Sequence, residues 1–63
     1  MKEQMKKNLV EWLRRQAANE NEMIAFNNEM LRSNSNFKPL VSNEAHTTQA
    51  ARLLEWADAV EES

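Results

Sequence analysis

The side chains that could do chemistry are few and scattered. His46 is the single histidine. A histidine reads as a base or a metal ligand only with a partner set at a recognisable spacing. No such set surrounds it, so it is expected at the surface, near the start of a helix. Glu20/Glu22 and Glu61/Glu62 are carboxylate pairs whose separations send the side chains apart on a helix. They read as solvated charge and not as general acid and base. Cys and Gly are absent, which removes thiolate nucleophiles, disulfides, thiolate metal sites and Gly-rich phosphate loops. Catalytic, metal-binding and cofactor-binding residues are assigned to none, and the chain is read as non-enzymatic.

The remaining chemistry is charge. Residues 1–15 hold Lys2, Lys6, Lys7, Arg14 and Arg15 against Glu3 and Glu11, a balance of +3. Residues 33–63 hold Lys38 and Arg52 against Glu44, Glu55, Asp58, Glu61 and Glu62, a balance of −3. Lys6, Lys7, Arg14 and Arg15 could bind nucleic-acid phosphates. The same stretch, with Met1, Met5, Leu9 and Trp12, could lie on an anionic membrane surface. A third reading pairs this basic start with Asp58, Glu61 and Glu62 across a helical hairpin. It is favoured, because each cluster otherwise sits at the wrong pole of its own helix dipole.

These groups must be positioned by helices. From Met5 to Leu31 no Gly or Pro intervenes, and good helix formers dominate. Met5, Leu9, Trp12, Gln16, Asn19, Met23, Phe26 and Met30 recur at 4-3-4-3-4-3-4 spacing, a heptad seam that the rest of the chain is expected to cover. A second row, Val10, Leu13, Ala17, Ile24 and Leu31, runs beside it, displaced by one residue or about 100°. Together the rows are too wide for one partner helix, which implies contact with both the second helix and another chain. Met1, Met5, Met23 and Met30 are expected in the core. Gln16 and Asn19 put amides on the seam. They either fix register or mark a break near Asn19–Asn21; continuity is favoured because nothing there breaks helices.

The spacing predicts helix 1 over about 2–32, a loop at 33–42 and helix 2 over about 43–62. In the loop, Asn34 or Asn36 is expected to take the left-handed conformation. Phe37, Leu40 and Val41 are expected to plug the open end of the hairpin. Ser42 or Asn43 caps helix 2, with Val41 set to pack onto its first turn. Its buried face is expected to be Ala50, Leu53, Leu54, Ala57 and Val60, with Trp56 at the edge. The architecture is thus an all-α helical hairpin. Leu13, Leu53 and Val60 join the seam residues as core or interface, with Trp12 and Trp56 at or near the interface.

A chain of 63 residues must offset roughly 90 kcal/mol of ordering entropy. With disulfides and metal sites removed, self-association is the remaining supplement, and a homodimer is expected, most plausibly antiparallel. No apolar run nears the roughly 18 residues of a membrane span, and no apolar core of a signal peptide is present. A cytoplasmic location is the default.

The layout resembles that of dimeric helical hairpins that assemble as four-helix bundles, such as plasmid copy-number regulators of the Rop type. Size, absence of Gly and Cys, and an Asn-rich, mixed Glu/Lys character resemble the short early-region proteins of lambda-like temperate phages, encoded between the recombination and excision genes. That resemblance implies a non-catalytic modulator of host physiology and of the lysis–lysogeny choice, acting by binding a host or phage protein. It carries over no site residues.

Overall fold

The computed structural model describes residues 2–63. Met1, grouped above with the core methionines and the membrane-facing stretch, lies outside the described residues. Two helices, α1 (Glu3–Ser33) and α2 (Asn43–Glu62), form an antiparallel all-α hairpin. The molecule is a rod of 48 × 15 × 13 Å. α1 runs unbroken through Asn19–Asn21. Helix formers flank that polar midpoint, and no residue there lacks a backbone donor.

The closing segment works by side-chain hydrogen bonds and without left-handed backbone. Asn34 is extended at φ −149°, and no described residue has positive φ. This corrects the expectation for Asn34 and Asn36. The Asn34 side chain instead accepts from the Asn36 N–H at 3.0 Å, and the Phe37 N–H donates to the Asn34 carbonyl at 3.0 Å. An Asx-type turn thereby reverses the chain without glycine. Ser42 caps α2, its hydroxyl accepting from the Ala45 N–H at 3.1 Å.

The helices meet along the second row of α1. Val10, Leu13 and Ala17 are buried against Ala50, Leu53 and Ala57, with Leu9 and Val60 packed at the margin. On α2 the contact follows His46, Ala50, Leu53, Ala57 and Val60, at 4-3-4-3 spacing. On α1 it follows Lys6, Val10, Leu13, Ala17, Glu20, Ile24 and Asn27, at 4-3-4-3-4-3. Three of the six buried apolar residues are alanines, so the helices approach closely over a thin core. Leu54, expected on the buried face, is 44% exposed. It lies one residue beyond Leu53 and so faces off the contact.

Candidate functional site

Two polar devices set the hairpin's register, and neither stands where the seam amides suggested. His46 Nδ1 lies 2.7 Å from Glu20 Oε2, with the imidazole nearly buried and the carboxylate partly so. A carboxylate oxygen can only accept, so Nδ1 carries hydrogen and donates. This corrects the surface reading of His46 and the solvated reading of Glu20; Glu22 is exposed as expected. The reason is positional. Each residue falls on the heptad row of its own helix, and both rows meet at that level.

Asn27 is the second device, and it carried no signal in the sequence beyond its place on the same row. It is buried, and its Nδ2 donates to the Val41 carbonyl at 3.1 Å and to Asn43 Oδ1 at 3.0 Å. Asn43 Nδ2 then donates to Asn28 Oδ1 at 2.8 Å. These amides tie α1, the loop and the first residue of α2 together. Gln16 is half-buried and Asn19 exposed, so within the hairpin they do not carry this task.

The pairing expected between the basic start and the acidic end is made in part, with Arg14 alone among those cations forming ion pairs among the described residues. Arg14 reaches Glu61 at 3.0 Å and Asp58 at 3.8 Å, and Lys6 Nζ donates to the Ser63 carbonyl at 2.9 Å. Arg14, Asp58 and Glu61 are exposed and Lys6 is half-buried, so each contact is worth little singly. Lys7 and Arg15 make no ion pair among the described residues. Lys6, Lys7 and Arg14 share a shallow hollow of about 220 Å³ with Glu3, Glu11 and Glu61. Arg15 stands about 100° around the helix from Arg14. The four basic residues therefore present no continuous cationic face.

What the fold leaves open is the first seam. Trp12 is 50% exposed, Met5 61%, Met23 44% and Phe26 51%. Leu9, Gln16 and Met30 are half-buried at its edge. This corrects the expectation that α2 covers the seam and that Met5 and Met23 are core of the hairpin. The seam lies about 100° from the contact actually used. Trp56, also 50% exposed, occupies the flank of α2 opposite the one that carries Asp58 and Glu61. Heptad register places it on the same side of the rod as the seam. Among the helices' exposed apolar side chains, Met5, Trp12, Met23, Phe26 and Trp56 thus gather on one side, while Leu31, on the second row, and Leu54 do not.

At the closed end the seam deepens into a groove of about 350 Å³ between Met23, Phe26, Asn27, Phe37, Lys38, Leu40, Val41 and His46. Phe37 stacks edge-on against Phe26, ring centres 6.3 Å apart. Only Phe37 of the three expected plugs is partly buried. Val41 is exposed, and Leu40 projects fully into solvent, at a bend that follows Pro39, with the Val41 carbonyl held by Asn27.

No group of three or more His, Cys, Asp or Glu side chains is placed to hold a metal ion among the described residues. No helix among them is long and apolar enough to cross a membrane. Compared with family models, curated proteins and solved structures, the chain matches none.

Proposed function

We propose that this chain is a small non-catalytic regulatory or adaptor protein of the cytoplasm, and that it works by protein–protein contact through the outer seam of α1. The observation that carries this reading is the exposure of Trp12, Met23 and Phe26 at heptad spacing on a face the hairpin does not use. Trp, Phe and Met are enriched in interface cores, and clustered exposed apolar groups mark contact sites. Composition, Asn-rich with mixed Glu and Lys and without Gly or Cys, supports a setting like that of temperate-phage early proteins, with a host or phage protein as target.

The test is a paired affinity experiment in bacterial lysate. Wild-type protein is compared with the double variant Trp12→Glu, Met23→Glu, whose helicity is checked by circular dichroism. Proteins retained by the first and lost from the second support the reading. Identical retention by both, with both proteins sedimenting as single chains, overturns it.

Nucleic-acid binding through Lys6, Lys7, Arg14 and Arg15 is the rival reading. Its support is weaker, because three carboxylates interleave with three of those cations and the fourth stands on another flank. Binding to duplex or single-stranded DNA that falls steeply with salt would reinstate it.

A further inference from the structure

The outer seam reads the same in both directions, and we propose that its occupant is a second copy of the chain, packed antiparallel about a two-fold axis between Ala17 and Ala18. This rests on the seam being a contact surface and names what contacts it. The intervals 4-3-4-3-4-3-4 form a palindrome. Turned end for end, the seam places Met5 against Met30, Leu9 against Phe26, and Trp12 against Met23. At the axis, Gln16 meets Asn19 twice, so the two amides face each other and every apolar residue faces an apolar one. A thioether against an indole is itself a favourable contact.

Charge selects the same orientation. Residues 1–15 carry a balance of +3, while residues 20–33 carry Glu20, Glu22 and Glu29 against Arg32. Antiparallel packing lays the first segment on the second, and parallel packing lays like on like. On the seam's open flank, Arg15 comes within two residues, about 3 Å along the axis, of the level of Glu22 in the second copy. Arg15 makes no ion pair among the described residues of the hairpin. In the parallel arrangement its counterpart would be Glu20, which is already held by His46.

The groove at the closed end fits this occupant. Met23 and Phe26 form its outer wall, and Leu9 and Trp12 of the second copy arrive at their level. The hairpin core also needs reinforcement. It buries only Val10, Leu13 and Leu53 besides alanine, and a core that small seldom stabilises a chain of this length alone.

Cysteine cross-linking tests the register directly, since the chain has no cysteine. A disulfide needs Cα atoms within about 7 Å. Met5→Cys and Met30→Cys proteins are oxidised separately and as a mixture, with circular dichroism confirming the helices. In the antiparallel register, like positions stand 25 residues apart along the axis, about 37 Å. The mixture is expected to yield covalent pairs of twice the chain mass, and each protein alone to remain single. Trp12→Cys with Met23→Cys repeats the test nearer the axis.

Cross-linking of either protein with itself, or a sedimentation mass other than two chains, overturns the proposal. A wild-type protein that sediments as one chain at micromolar concentration overturns it as well. Lysate capture that still depends on Trp12 and Met23 in that case would leave the seam's contact function standing with a different partner.

Discussion

Glu20 and His46 place a polar bridge in a helix contact built largely of alanine. Alanine stripes slide past each other at little cost, so position along the rod has to be set by groups with direction. The bond at 2.7 Å between these side chains supplies that. Removing one partner leaves the other poorly solvated and unpaired, which costs about 1–3 kcal/mol. His46→Ala and Glu20→Ala are each expected to lower the thermal midpoint, by roughly 4–8 °C per kcal/mol in a domain of this size. The double variant should be less destabilised than the sum of the two. Strict additivity in melts at fixed chain concentration would show that the bond contributes nothing. Asn27 is the comparable case at the loop. Asn27→Leu leaves the Val41 carbonyl and Asn43 side chain without their donor. It is expected to cost a similar amount and to speed amide hydrogen exchange across residues 34–43, with α2 beyond Ala50 little changed. Neither device was legible beforehand. A lone histidine, one glutamate among ten acidic residues and one asparagine among many gain meaning only when the rows that hold them are known to meet.

At the scale of elements, the helices could be read directly from the chain. An absence of Gly and Pro over Glu3–Ser33, a Ser/Asn cluster with one proline, and Ser42 ahead of an amphipathic run are local signals with local causes. The choice of face was not local. Two rows one residue apart both keep heptad spacing, and the first has the larger side chains, so periodicity favoured Met5, Trp12, Met23 and Phe26. The hairpin takes the second row because alanines at 17, 50 and 57 let two helices approach, which Trp12 or Phe26 would prevent. Lys6, Glu20 and Asn27 disguised that row by being polar. Ala57 is fully buried, so Ala57→Leu is expected to overpack the contact and cost about 1–3 kcal/mol. Ala51→Leu, on the exposed face of the same helix, should stay within about 0.5 kcal/mol of wild type. Equal effects in denaturant melts would mean that α2 packs by another face. Loss of the α2 cap in Ser42→Ala should cost about 1 kcal/mol, read in the same way.

For the whole molecule, the thin core and the open seam are two sides of one allocation of apolar residues. The largest side chains, Trp12, Trp56, Phe26 and Met23, lie outside the hairpin contact, while alanine lines it. A rod arranged this way is expected to draw much of its stability from whatever covers the seam. If the cover is a second copy, folding is coupled to association, and the thermal midpoint must rise with chain concentration. Trp12→Glu with Met23→Glu separates the two contributions. Both positions are exposed in the hairpin, so within a single chain the substitutions should change stability by less than about 1 kcal/mol in total. In the associated molecule they bury four carboxylates, two from each chain, and set them facing one another at both 12–23 contacts, which is prohibitive. The variant is expected to melt lower than wild type by an amount that grows with concentration, with a midpoint of its own that does not move. A wild-type midpoint constant over a hundredfold range of concentration would show instead that the hairpin stands alone and that its seam is held open for another protein.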